Sequence, residues 1–139
     1  MGENPKEKFG ATKPQLHLVP PAFVIYTATA FRDGARKYGP YNWRENSVVA
    51  TTYVSAAKRH LDSWFDGEEV AADSGVHHLA HAAACLAILI DCIETGNLDD
   101  DRPPKGNAAA LIERLTVSRP AEYPPIFKEA ESFMGGVCI

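Results

Sequence analysis

The chain has 139 residues, of which 45% are hydrophobic and 23% charged, and 14 Lys+Arg against 18 Asp+Glu leave a formal charge of -4. These are globular proportions for one compact domain of about 100 to 200 residues, which excludes a disordered or fibrous chain. The acidic balance lacks the basic surplus that coats a nucleic acid, while a small phosphorylated ligand needs only a few local cations.

Residues 1–20 place Pro5, Pro14 and Pro20 among lysines and read as an extended lead-in, with Leu16, Leu18 and Val19 as an anchoring run. No apolar leader precedes them, and no stretch reaches about 18 continuous apolar residues, so a soluble, intracellular protein without a membrane partner is expected. Pro20-Pro21 opens the first helix, over 21–38, because proline costs no hydrogen bond in a first turn. Its buried stripe is expected at Phe23, Tyr26 or Thr27, Ala30, Gly34 and Tyr38. Gly39-Pro40 ends it, and residues 39–46 form a loop dense in aromatic and hydrogen-bonding groups, a composition that often touches ligands. Ser47 is the expected N-cap of a second helix over 48–65, with Tyr53, Ala57, Leu61 or His60, and Trp64 at helical spacing. The β-branched residues Val48, Val49, Thr51 and Thr52 compete for strand at its start.

An acidic turn, Asp66-Gly67-Glu68-Glu69 to Asp73-Ser74-Gly75, leads into a third helix over 76–95 that is apolar on nearly every face, the pattern of a bundle's central helix. Gly96-Asn97 stops it. Residues 99–106 are a solvated connector, Ala108 to Leu115 a short fourth helix, and the chain beyond Pro120 a loose tail with one helical turn from Ile126 to Met134. The domain division expected is 1–106 for the functional helices and 107–139 for the short helix and tail. Of the three cysteines, Cys85 and Cys92 stand about 10 Å apart along one helix, beyond disulfide reach, and free thiols in a reducing compartment are expected.

Four of the five histidines, His60, His77, His78 and His81, fall close to Glu68, Glu69 and Asp73. On a helix His78 and His81, or His77 and His81, share a face, so either pair can meet one metal or phosphate, and the helix N-terminus favours an anion. Imidazole with carboxylate and water suits Mn²⁺, Co²⁺ or Zn²⁺, and an all-oxygen set from Glu68, Glu69 and Asp73 suits Mg²⁺. The plainer reading of any single histidine here is a capped core residue. His77-His78-Leu79-Ala80-His81 outlines the metalloprotease motif but has His78 where a glutamate base is needed. There is no adjacent His-Asp pair, and cysteines within an apolar helix are poor nucleophiles. Lys37, Arg44, Lys58 and Arg59 are the candidate cations for phosphate, and Arg can grip two phosphate oxygens at once. Tyr38, Asn42 and Trp43 are the candidates for stacking on a base and reading its edge, or else Tyr38 and Trp43 are core aromatics.

Taken in order, Leu18-Val19-Pro20-Pro21, Gly34, Lys37-Tyr38-Gly39, Asn42-Trp43-Arg44, Arg59-His60-Leu61, Trp64, Gly67-Glu68, Asp73, Ser74-Gly75 and His78-Leu79-Ala80-His81 closely resemble the tailed-phage dATP/dGTP diphosphohydrolases. The likeness covers about residues 13–95. That family is in turn similar to the all-α NTP pyrophosphatases of the MazG-like group. The resemblance implies hydrolysis of a purine deoxynucleoside triphosphate, dGTP and with it dATP, to the monophosphate and pyrophosphate with a divalent cation, Mg²⁺ or Mn²⁺ with Co²⁺ also fitting. In phages that replace adenine by 2-aminoadenine it implies supply of dGMP for the modified nucleotide, in the host cytoplasm. The MazG-like group places Glu-x-x-Glu on one helix and Glu-x-x-Asp on the next, and neither occurs here; His78-x-x-His81 stands near the second.

The expectation is thus an all-α bundle of about four helices, completed as a homodimer or higher homo-oligomer because the apolar third helix has little to cover it. Glu68, Glu69, Asp73, His78 and His81 are the expected metal ligands. Glu68 or Glu69 is the expected water-activating carboxylate, Lys58 and Arg59 act beside it, and Lys37, Tyr38, Asn42, Trp43, Arg44 and His60 bind substrate. The alternatives are a triphosphohydrolase releasing tripolyphosphate and a non-enzymatic helical module that binds nucleotide or a host protein.

Overall fold

The structure is a computed structural model, and the residues it describes are Gly2 and 4–116. The helical turn expected over 126–134, and Cys138, lie outside them. The chain divides into two compact units, the first ending at Asp99 and the second beginning at Asp100. The expected all-α fold is what forms.

In the first unit, α1 (Pro5–Gly10) is capped by Asn4 and a single 3₁₀ turn spans Leu16–Leu18, so the lead-in carries two short helical pieces where an extended run is expected from sequence. α2 (Pro21–Tyr38) begins and ends where its prolines and Gly39 dictate. Its buried residues are Thr27 and Ala30, whereas Phe23, Tyr26 and Tyr38 of the expected stripe are exposed. The loop after it contains one helical turn, α3 (Asn42–Glu45), entered through Tyr41 in the left-handed conformation at φ 57°.

β1 (Val48–Val49) pairs in parallel with β2 (Leu98–Asp99), Val48 opposite Leu98. The β-branched pair therefore takes the strand option, and α4 (Ala50–Phe65) starts two residues later than expected, without a side-chain cap from Ser47 or any other residue. α5 (His78–Thr95) is the central helix, with α4 and α2 packed along it. It starts at His78 and not at Val76, because Val70 and His77 form an antiparallel bridge that keeps the chain extended there. The His77 ring then caps the helix by accepting the Leu79 N–H. At the other end Gly96 takes the left-handed cap at φ 70°.

The core between these helices is built from small side chains. Ala30, Ala80 and Ala84 meet at its centre with Phe31 and Val76 against them, and Ala57, Ala82, Ala83 and Cys92 are also buried. Alanine at the contacts lets helix axes approach closely, at the cost of little apolar area per residue. α5 is long and apolar enough by length and composition to cross a membrane, yet it lies along two helices, carries an ion-paired Asp91 and opens with histidines, the make-up of a bundle-core helix. The second unit contains α6 (Ala108–Leu115), with the bounds expected from its sequence.

Candidate functional site

The acidic turn between α4 and α5 is held by its own backbone. Glu68 N–H donates to Ser63 O at 3.0 Å, His78 N–H to Glu69 O at 3.0 Å, and Ala71 N–H to Val76 O at 2.9 Å. Gly75, at φ 68°, turns the chain between the two arms, a conformation that other residues rarely adopt. Along extended backbone, side chains alternate faces, and the two glutamates part accordingly. Glu69 Oε2 lies 2.9 Å from Nε2 of His77, whose ring meets Tyr26 edge-on at 5.3 Å. Glu68 Oε2 lies 3.2 Å from Nε2 of His78.

His78 is 5% exposed and uses both ring nitrogens, since its Nδ1 sits 2.9 Å from Nδ1 of His60 on α4. His81, one turn along α5, stacks on His60 at 4.5 Å with ring planes 16° apart, and its Nε2 is 2.9 Å from the Ser74 hydroxyl. Three imidazoles from two helices thus form one cluster, with Glu68 on one side and Ser74 on the other. Burial pushes the pKa of His60 down, and the neighbouring His81, His78 and Arg59 push it the same way while Asp73 opposes them. Burial lowers His81 too, against the opposing charges of Asp33 and Asp73. Both rings are therefore kept neutral to lower pH than a free histidine.

α2 supplies the third wall. Asp33 and Lys37, one turn apart, join at 2.7 Å, and the Lys37 ammonium holds the Asp33 carboxyl below its usual range. Asp33 feels the charge of His81, and Lys37 that of Asp73. Of the residues expected from sequence, the structure gathers Lys37, His60, Glu68, Asp73, His78 and His81 into one region, with Arg59 acting on His60 by its charge. Lys58 is exposed and lies about 200° around the α4 axis from His60. Glu69 is turned toward His77. Asp33 and Ser74 are the partners that sequence reasoning misses; the signal for Asp33 is its spacing to Lys37 beside the buried Ala30.

The aromatic loop is committed elsewhere. Arg44 grips Asp91 with Nε at 2.8 Å and Nη2 at 2.7 Å, and Trp43 Nε1 donates to the same carboxylate at 2.7 Å. Those donors hold Asp91 at a pKa of about 2. The Trp43 ring rests between Phe31 at 5.2 Å and Tyr41 at 5.3 Å, and Asn97 donates to the backbone carbonyls of Trp43 and Asn46. Asp91 lies more than three helical turns from His78 on α5, about 20 Å along its axis. Trp43 and Arg44, expected to meet substrate, are thus placed as the buckle that fastens the α2–α4 connection to the far end of α5. Asn42 starts α3 in that same connection, and Tyr38 is exposed at the end of α2.

Nor do the five expected metal ligands converge. Among the described residues no group of three or more His, Cys, Asp or Glu side chains is arranged to hold one ion. Glu68 and Glu69 diverge, and His78 has both nitrogens engaged, so this arrangement does not fit a resident metal. Cys85 and Cys92 are free thiols, and burial raises both pKa values, as expected for cysteines in an apolar helix.

Residues 3–102 match the family model described as dATP/dGTP diphosphohydrolase, N-terminal. A protein of Salmonella phage PMBT28 named dATP/dGTP diphosphohydrolase is 30% identical over 95 residues, which are 68% of this chain and 32% of that relative. The chain therefore spans about a third of the length of the curated relative it matches. No solved structure matches. With the match running from α1 through α5 and the turn that carries Glu68, the chain belongs to the dATP/dGTP diphosphohydrolase N-terminal family.

Proposed function

We propose that the protein is a diphosphohydrolase that converts dGTP, and dATP with it, to the monophosphate and pyrophosphate. The observation that carries this reading is the convergence of His60, His78, His81 and Glu68 beside Asp33, Lys37 and Asp73, within the span matched by the family. A triphosphate needs cations near its oxygens and a group able to take a proton at neutral pH. Lys37 and Arg59 supply the first, and a neutral imidazole supplies the second.

The divalent cation is read as part of the substrate, entering on the triphosphate as Mg²⁺, Mn²⁺ or Co²⁺, because the side chains make no cage of their own. Water attacks the α-phosphorus, the bond to the bridging oxygen breaks, and pyrophosphate leaves. In a phage that uses 2-aminoadenine the product dGMP would feed the modified nucleotide. The exposed apolar residues of α2 and α5 favour a homo-oligomer as the working form.

Incubation of dGTP and dATP with each of the three cations tests the reading. Monophosphate and pyrophosphate are the expected products; tripolyphosphate, or no product under any cation, contradicts it.

A further inference from the structure

We propose that His60 is the general base that takes the proton from the attacking water, and that Glu68, acting through His78, is the positioning residue that fixes its tautomer. The inference rests on the diphosphohydrolase reading above, and it moves proton transfer from the acidic turn to a histidine on α4.

The hydrogen-bond chain sets the protons. An ionised carboxylate only accepts, so the contact of Glu68 with Nε2 of His78 requires a proton on that nitrogen. With one ring proton thus assigned, Nδ1 of His78 presents a lone pair, and the 2.9 Å contact is filled by Nδ1–H of His60. The opposite assignment would put two protons, and so a charge, on His78, the ring that is 5% exposed. His60 is then neutral with its lone pair on Nε2, the edge turned away from His78, and among the described residues no hydrogen-bond partner meets that atom. A carboxylate and an imidazole that orient the base from behind follow the same logic as the orienting acid of a hydrolase triad.

The stack on His81, itself tied to Ser74, holds the His60 ring in plane. The charged and titratable groups acting on His60 are His81 and His78 from α5, Arg59 on its own helix and Asp73 from the turn; Asp33 and Lys37 from α2 act on His81, and Glu68 meets His78. Burial, the two neighbouring imidazoles and Arg59 all disfavour the charged ring and Asp73 alone opposes them, so His60 presents a neutral imidazole. As water oxygen bonds to the α-phosphorus, its proton passes to Nε2. The bond from the α-phosphorus to the bridging oxygen breaks, and pyrophosphate leaves with the bonding pair. The imidazolium returns its proton to solvent.

The test uses the full chain and pyrophosphate release from dGTP. His60→Asn keeps an amide donor where Nδ1 stands and removes the Nε2 lone pair, and it should lower kcat by about 10²- to 10⁴-fold with an unchanged helical circular dichroism signal. His60→Ala should lose as much and recover activity with added imidazole. Glu68→Gln keeps an acceptor for His78 without its charge, so KM should hold, kcat should fall, and the acid limb of kcat/KM should move to lower pH. Full activity in His60→Asn, absence of imidazole rescue, or an unmoved acid limb in Glu68→Gln overturns the inference while the reaction stands. A wild-type protein that releases no pyrophosphate overturns the reaction and the inference with it.

Discussion

At the scale of single residues, the histidine cluster ties stability to pH. His60 and His81 lie below the ordinary histidine value of 6.5 because burial disfavours their charged forms. For such groups the unfolded chain binds protons that the folded chain refuses, so their contribution is present above pH 6.5 and is lost as pH falls from there through the lower folded values. The melting temperature should therefore drop between pH 7 and pH 5, and the double variant His60→Asn/His81→Asn should show a shallower drop over the same window. Equal slopes in the two proteins would contradict the burial argument. Asp91 acts later, since a carboxyl held near pKa 2 by Arg44 and Trp43 gives up its contribution only as pH falls below 4. Within the cluster, the shared helix face of His78 and His81 is legible from their spacing. The contact of His60 with His78 is not, because it exists only once α4 lies along α5.

Among the helices and turns, the boundaries of α2 and the end of α5 follow from sequence because local covalent chemistry fixes them: proline without an N–H, and glycine with access to positive φ. Gly96 is the clearest case. A Cβ there would meet nothing within 4 Å, so any penalty for Gly96→Ala comes from the left-handed backbone alone. That substitution should lower unfolding free energy by about 1–2 kcal/mol in denaturant titration, and an unchanged midpoint would contradict the cap. The start of α5 is less legible, since the bridge between Val70 and His77, seven residues apart, overrides the helical pattern of Val76 and His77. The partners of the aromatic loop are hidden for a related reason. Arg44 and Trp43 look like free recognition groups beside their neighbours in sequence, while their partner, Asp91, lies two helices later, on α5.

For the molecule as a whole, the alanine-rich core leaves large apolar side chains uncovered. Phe23, Val24, Ile25 and Tyr26 on α2, Phe65 at the end of α4, and Leu86 and Ile90 on α5 are all exposed, Phe65 by 85%. A small core supplies little hydrophobic stabilisation, and burying these residues against a second copy would add to it. Light scattering on the eluted protein should give at least twice the monomer mass, and a monodisperse monomer at micromolar concentration would contradict this. The all-helical class and the run of chemistry-bearing residues from Lys37 to His81 are read from one strand of sequence. Which of them share a site is decided by packing: Glu68 and Glu69 are adjacent in the chain and serve different histidines.

Turnover of dGTP with Mg²⁺ in ¹⁸O-labelled water reports whether the cluster directs water onto the α-phosphorus of a purine deoxynucleotide. Attack at the α-phosphorus leaves one labelled oxygen in dGMP and unlabelled pyrophosphate. Label in the pyrophosphate would contradict it.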